Sequence, residues 1–288
     1  LTARAMQMGE RPRRADEVIL LGTSVLLEGV SRPSDLARDL GAALAREIPV
    51  YSLSASGQTP IDYVATLDAV APTRGMVVLT PSFVYSPAEY PDRISAPRYG
   101  FRSARMDETL RTLGAEPEEP SGVYAIDNLP FFVNRFPYIL RNAVFGPPAY
   151  LPHVHLGHEP FHGAEPERIV AAMMQLYALL DANFAINARI FEDIVRRVRA
   201  DGGEVVFVAG TVNPDYRETI DTPEMREYQV RFAAFCARLA VPCLDVQPDA
   251  DLRPEDFNDV VHLDEMAAME RYTAALALAL APLLAERR

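Results

Sequence analysis

The sequence has no lysine, because all 28 of its basic residues are arginines. Lysine forms Schiff bases, contacts phosphates in Walker-type loops and activates serine in Ser-Lys dyads, so these three kinds of chemistry are excluded. Acidic residues outnumber the basic ones, 40 to 28, which gives a formal net charge of −12. A chain this acidic is not expected to bind nucleic acid.

Cysteine is nearly absent as well, since Cys236 and Cys243 are the only two in the sequence. They form no Cys-x-x-Cys or other zinc pattern. Cys236 falls in a predicted helix and Cys243 in the strand that follows. We expect two buried free thiols, with a disulfide as the alternative. Long apolar runs are missing too, and the run 274–284 is too short to span a bilayer.

The 288 residues are enough for one large α/β domain with an insertion, or for two small domains. Hydrophobic residues make up 49% of the chain and its mean hydropathy is near zero, which is typical of a soluble globular protein. The sequence begins at Leu1 without methionine, so we expect an upstream segment to have been removed. A signal peptide or a membrane anchor would be compatible with that expectation.

Strands and helices alternate along most of the chain. Apolar runs predict strands at residues 17–22, 49–53, 75–80, 204–209 and 241–246. Helices are predicted at 33–46, 61–70, 166–200, 223–239 and 264–286. This alternation predicts a three-layer α/β/α fold, in which helices cover both faces of a parallel sheet. Five strands suit the flavodoxin-like order 2-1-3-4-5.

Residues 84–164 interrupt this pattern. The segment follows the third predicted strand, is rich in Pro, Gly, Tyr and Phe, and contains only short helix candidates at 108–113 and 138–144. An irregular stretch this long within a compact domain is usually functional. We predict a single domain over residues 1–288, with 84–164 inserted as a lid or substrate platform above the active-site end. A decorative subdomain or an oligomer contact is the alternative.

Candidate catalytic residues lie near the two ends of the chain. Ser24 follows the first predicted strand in a Gly-Thr-Ser turn, and Asp259 precedes His262 by three residues before the last predicted helix. A serine becomes a nucleophile when a histidine takes its proton and an acid orients that histidine. We predict these three roles for Ser24, His262 and Asp259. The alternatives are a capping role for Ser24, a purely structural Asp and His, and Asp256 as the orienting acid.

An oxyanion hole needs donors that point at one position, and the backbone N–H groups of Ser24 and Gly57 are the predicted donors. An ordinary turn is the alternative role for Gly57. Thr80 and Ser82, at the end of the third predicted strand, are further candidate donors. Asn213 follows the fourth predicted strand and could line the crevice, although a role in the turn is equally open.

The predicted insertion contains two further groups of interest. Arg135 and Arg141 lie near the aromatic residues of 131–138 and could present cations and rings to a carbohydrate or an anionic polymer. A helix with a packed aromatic face is the alternative. Residues 152–162 contain four histidines and a glutamate, and His-x-His in an extended segment would place two rings on one face. A polar loop is the favoured interpretation of that stretch, and no metal site is predicted.

The order of these motifs resembles the SGNH (GDSL-like) hydrolase superfamily. Ser24 matches the block I serine, although Gly-Thr-Ser replaces the commoner Gly-Asp-Ser. Gly57 matches the block II glycine, and Asp259 with His262 matches block V. Block III, Gly-x-Asn-Asp, has no match, because the third predicted strand ends in Leu-Thr-Pro-Ser-Phe. Either Thr80 or Ser82 replaces the missing donor, or the oxyanion hole has only two donors. Losing one such donor raises the activation free energy by about 3 kcal/mol.

This resemblance implies a serine esterase or O-acyltransferase that forms an acyl-Ser24 intermediate and needs no cofactor. Its expected substrates are acyl esters, acetyl above all, of a carbohydrate or a cell-envelope polymer. The alternative function is a non-catalytic SGNH-like protein that docks polymer or a membrane-bound acyltransferase partner.

The departures from the family pattern look more like its divergent bacterial branch that works on cell-envelope polymers. That branch includes the D-alanine transfer proteins of teichoic acid and the periplasmic alginate O-acetylation proteins. Such proteins are usually exported and often anchored, so the resemblance implies a periplasmic or extracellular location. An anchor in the missing N-terminal segment and a cytoplasmic location both stay open.

Overall fold

A five-stranded parallel sheet forms the centre of the protein, and its strands run in the order β2-β1-β3-β4-β5. The computed structural model describes Met8, residues 14–55, 58–81, 83, 103–114 and 165–287, together with positions 121, 123, 126, 129, 133, 136, 137, 140 and 144. The strands are β1 (Val18–Leu21), β2 (Val50–Ser52), β3 (Met76–Leu79), β4 (Glu204–Val208) and β5 (Cys243–Leu244). The predicted fold class and strand order are confirmed.

Helices cover both faces of this sheet. They are α1 (Ser24–Gly29), α2 (Pro33–Leu44), α3 (Pro60–Ala69), α4 (Ala104–Thr112), α5 (Glu165–Ala200), α6 (Arg217–Ile220), α7 (Pro223–Leu239) and α8 (Met266–Ala285). The short helices α1 and α6 are not predicted from the sequence, because each is less than two turns long and shows no helical periodicity.

Alternate side chains of each strand enter two different cores, as the two-residue period of a strand requires. In β1, Ile19 and Leu21 pack with α3, α4, α5 and α7 on one face of the sheet. Val18 and Leu20 pack with α1, α2 and α8 on the opposite face. Because both faces are buried, the strands appear in the sequence as unbroken apolar runs.

The last helix, α8, is long and apolar enough to resemble a membrane span, but more than half of it is buried in the protein. It packs against α2, and the Thr273 hydroxyl oxygen accepts a hydrogen bond of 3.0 Å from the backbone N–H of Ser31. In the part of the chain that the structure describes, no other helix reaches the length and hydropathy of a span. α8 is therefore a core helix.

Part of the predicted insertion belongs to the main core. α4 begins after Ser103, whose hydroxyl oxygen accepts a hydrogen bond of 3.1 Å from the backbone N–H of Met106. Met106 and Leu110 are buried in the core that also contains α3 and α5. Most of residues 84–164 lie outside the described residues, so their role as a lid or platform stays a prediction.

Cys236 and Cys243 form a disulfide. α7 ends at Leu239, Ala240 adopts the left-handed conformation (φ 50°), and the chain turns back towards the helix. The two cysteine Cα atoms are 6.3 Å apart, within the range that disulfide geometry allows. The expectation of two free thiols is therefore wrong, and the alternative that the sequence left open is observed.

Replacing both cysteines with serine (Cys236→Ser with Cys243→Ser) is expected to lower the free energy of unfolding by about 2 kcal/mol. The disulfide joins residues with a sequence separation of 7, and constraining so short a loop in the unfolded chain is worth about that much. Urea denaturation of the double variant, the oxidised wild type and the reduced wild type measures the difference. Equal stability of all three would show that the disulfide does not stabilise the fold.

Candidate active site

Ser24 lies at the carboxyl edge of the sheet. A two-residue turn follows β1, and Ser24 is the first residue of α1. Gly22 in this turn has little room for a side chain, because a Cβ there would lie 3.0 Å from the Cβ of Leu26 and 3.3 Å from the Cβ of Thr80. Glycine therefore lets α1 pack directly against the end of the strand. The position of Ser24 is fixed by this close packing.

His262 reaches Ser24 from the other end of the chain. Ser24 Oγ and His262 Nε2 are 2.8 Å apart, and His262 Nδ1 is 2.6 Å from Asp259 Oδ2. The other carboxylate oxygen of Asp259 accepts hydrogen bonds of 2.8 Å from the backbone N–H groups of Val261 and His262. Asp259 thus holds both the ring and the backbone of His262. The three side chains form one continuous hydrogen-bonded chain.

Burial and charge act in opposite directions on the two ionisable groups. Burial lowers the pKa of His262, but the hydrogen bond and charge of Asp259, with the charge of Glu28, raise that pKa above its ordinary value overall. Burial raises the pKa of Asp259, but the hydrogen bond and charge of His262 and two backbone N–H groups lower it overall. Asp259 is therefore ionised at neutral pH and can stabilise a positive charge on His262.

Asp256, the competing candidate for the orienting acid, is engaged elsewhere. Its carboxylate accepts a hydrogen bond of 2.6 Å from the Arg271 guanidinium and one of 2.7 Å from the backbone N–H of Arg253. This buried carboxylate ties α8 to the start of the loop that carries His262. Asp259 therefore occupies the orienting position beside His262.

The loop from Asp259 to His262 is held by the segment that follows β4. The Thr211 hydroxyl donates a hydrogen bond of 2.5 Å to the carbonyl of Val261. The backbone N–H of Asn213 donates to the carbonyl of Val260 at 2.8 Å, and its side-chain amide donates to the carbonyl of Asp259 at 3.3 Å. These bonds fix the backbone that presents the acid and the base.

Of the two roles that the sequence suggests for Asn213, the observed hydrogen bonds fit the role in the turn. The residue is only 7% exposed, and its Oδ1 accepts a hydrogen bond of 3.0 Å from the backbone N–H of Asp215. Gln247 supports the same segment, because its side chain accepts a hydrogen bond of 2.9 Å from the Val212 N–H and donates to the Val212 carbonyl. Sequence reasoning did not find Thr211 or Gln247, since neither belongs to a motif.

Of the remaining candidate residues, Thr80 lies in the described part of the chain. It is buried and lies beside Gly22, which belongs to the turn before Ser24. The others lie outside the described residues: Gly57, Ser82, Arg135, Arg141 and the histidines of 152–162. Among the described residues, no group of three or more side chains is arranged to hold a metal ion.

No family model and no curated protein sequence matches this chain. The chain is similar to several solved structures, and two of the three described below are lipases. A GDSL-like lipase from Bacteroides thetaiotaomicron is 10% identical, with coverage of 99% of this chain and 96% of that chain and a TM-score of 0.39. The lipase Lip_vut3 from a goat rumen metagenome is 11% identical, with coverage of 92% and 96% and a TM-score of 0.40. TesA is 14% identical, with coverage of 93% and 99% and a TM-score of 0.43.

Proposed function

We propose that this protein is an SGNH-type serine esterase or O-acyltransferase. The observation that carries the proposal is the chain of hydrogen-bond distances Ser24–His262–Asp259, at 2.8 and 2.6 Å. This is the arrangement by which a histidine activates a serine and an acid orients the histidine. The arrangement disfavours the non-catalytic alternative, because a protein that only binds polymer has no use for it.

In the proposed reaction, Ser24 Oγ bonds to the carbonyl carbon of an acyl ester while His262 Nε2 takes its proton. Asp259 stabilises the imidazolium that forms. The tetrahedral intermediate then breaks its ester C–O bond, and His262 returns the proton to the leaving alkoxide. Water or a sugar hydroxyl then attacks acyl-Ser24 while His262 takes its proton. The bond between the acyl carbon and Ser24 Oγ breaks, His262 returns the proton to Oγ, and an acid or a new ester is released.

The oxyanion of the tetrahedral intermediate needs hydrogen-bond donors. We assign the backbone N–H of Ser24 as the first donor, because backbone N–H groups in the first turn of a helix have no acceptor within that helix. Gly57 is proposed as the second donor. Thr80, which lies beside the turn that carries Ser24, or Ser82 is proposed in place of the asparagine that the sequence lacks.

The substrate and the location are proposals that rest on the resemblance of the motifs. We propose an acyl ester of a carbohydrate or a cell-envelope polymer as substrate, with a membrane-bound acyltransferase as a candidate partner. Export to the periplasm or the cell exterior is proposed with it. The Cys236–Cys243 disulfide supports export, because disulfides persist in oxidising compartments.

Labelling with a fluorophosphonate, followed by peptide mass spectrometry, tests whether Ser24 is activated. We expect an adduct on Ser24 in the wild type and none in His262→Ala, with circular dichroism showing that both are folded. Ser121→Ala, which removes an exposed serine, should label like the wild type. An adduct on another serine, or equal labelling of the wild type and His262→Ala, would overturn the proposed roles.

The pH profile of ester hydrolysis is expected to follow the pKa of His262. His262 accepts a proton only when it is neutral, so kcat/KM should fall as the pH drops through that pKa. Because the pKa of His262 is raised from 6.5, the midpoint of this fall should lie above pH 6.5. Glu28→Gln removes one charge that raises the pKa and should move the midpoint down. Rates at a series of pH values measure both midpoints, and a wild-type midpoint below 6.5 would contradict the expectation.

A further inference from the structure

A row of exposed apolar side chains lies between residues 121 and 144. Its members, here called the apolar stripe, are 50% to 65% exposed: Val123, Ile126, Leu129, Val133, Phe136, Leu140 and Val144. All except Val123 are helical, and each is three or four residues from the next. This is the spacing of one face of an α-helix.

The stripe differs from ordinary surface hydrophobicity. Single exposed apolar residues are normal, as Val230 on α7 and Leu278 on α8 illustrate with exposures of 70% and 71%. Of the ten exposed large apolar side chains among the described residues, however, seven belong to the stripe. Exposed apolar side chains that repeat at helical spacing along one segment indicate a place that binds something apolar.

We propose that the apolar stripe docks onto a lipid surface. Residues 121–144, the range of the stripe, contain one acidic residue, Asp127, and two basic residues, Arg135 and Arg141, so this range carries a net charge of +1. The whole chain carries −12. An anionic lipid surface repels so acidic a protein but attracts a segment with a net positive charge. The range of the stripe therefore carries a small positive charge in an otherwise acidic chain.

Two features of the sequence favour lipid over the paired helix of a second protein. Pro130 and Pro137 lie within the range of the stripe, and proline disturbs the regular helix that knobs-into-holes packing needs. Aromatic residues are also frequent in 121–145: Tyr124, Phe131, Phe132, Phe136, Tyr138 and Phe145. Aromatic rings favour the boundary between headgroups and acyl chains, and the charges and prolines of the segment suit a position on the membrane surface.

The absence of tryptophan from the chain allows a direct test. Phe136→Trp places a single tryptophan on the stripe, and Val230→Trp is the matched control at an exposed apolar position on α7. On addition of phosphatidylcholine–phosphatidylglycerol vesicles, we expect the Phe136→Trp emission to shift to the blue and to be quenched by brominated lipid. The Val230→Trp emission should not change. An unchanged Phe136→Trp emission, or an equal shift in the control, would overturn the proposal.

Sedimentation with the same vesicles gives a second measurement. The double variant Val133→Glu with Phe136→Glu should bind at least about tenfold more weakly than the wild type, because two apolar contacts are lost. Val230→Glu with Leu278→Glu should bind like the wild type, and circular dichroism should show both variants folded. Normal vesicle binding by the stripe variant would overturn the proposal. The proposal would also be overturned if the wild type formed a dimer without lipid and the stripe variant did not. Ser24→Ala should bind normally, so failure of the proposed chemistry is separable from failure of docking.

Discussion

Ser24→Ala is expected to lower kcat/KM for ester hydrolysis by about 10⁴-fold or more while leaving the fold intact. The substitution removes the oxygen that we propose forms the acyl intermediate. The Ser24 hydroxyl bonds to His262, which Asp259 continues to hold, so the free energy of unfolding should change by no more than about 1 kcal/mol. Initial rates with p-nitrophenyl acetate and thermal unfolding measure the two effects.

Thr23→Ala is the matched control for this experiment. Thr23 is the adjacent residue, at the N-cap position of α1, and its side chain makes no capping hydrogen bond. The control should therefore retain the wild-type rate. Comparable rates for Ser24→Ala and Thr23→Ala would remove Ser24 from the mechanism and favour the non-catalytic alternative.

Asp259→Asn is expected to lower kcat by about 10⁴-fold with little change in KM. The amide has no negative charge to stabilise the His262 imidazolium, and it can donate to Nδ1, which favours the wrong tautomer of the ring. Loss of the charge should also lower the pKa of His262, because the hydrogen bond and charge of Asp259 both raise it. Steady-state kinetics measure kcat and KM, and a histidine NMR titration measures the pKa.

Asp256→Asn provides a control only three residues away. Asp256 is paired with Arg271, so its replacement should leave kcat and the pKa of His262 unchanged. It should instead lower the free energy of unfolding by about 1–3 kcal/mol, as expected for loss of a charged hydrogen bond. Equal losses of activity in the two variants would show that general disruption of the loop explains the effect of Asp259→Asn.

The sequence was sufficient to predict most of the sheet, for a physical reason. The apolar side chains of β1, β3 and β4 are buried, and the three apolar runs end at Gly22, Thr80 and Gly210. α7 was also predicted with its observed ends, because Pro223 in its first turn and the Thr222 cap mark its start. α1 was missed because Val25-Leu26-Leu27 continues the apolar character of β1, so no change of period marks the helix.

The candidate site could be predicted in part. An Asp three residues before a His can fold back onto it, so the proximity of Asp259 and His262 follows from local spacing. Their approach to Ser24 depends on the strand order. Thr211 and Gln247 could not be found in the same way, because they bind backbone groups that are remote in sequence. The same limit applies to the disulfide, since sequence separation does not give the distance between Cα atoms.

Residues from near the two ends of the chain contact each other in two places. Ser24 and His262 are 238 residues apart, and Ser31 and Thr273 are 242 residues apart. Contacts that close such long loops have a large entropic cost, and we expect them to form late in folding. On the proposed function, a nascent chain therefore has no activated serine until His262 has been synthesised and its loop has reached Ser24.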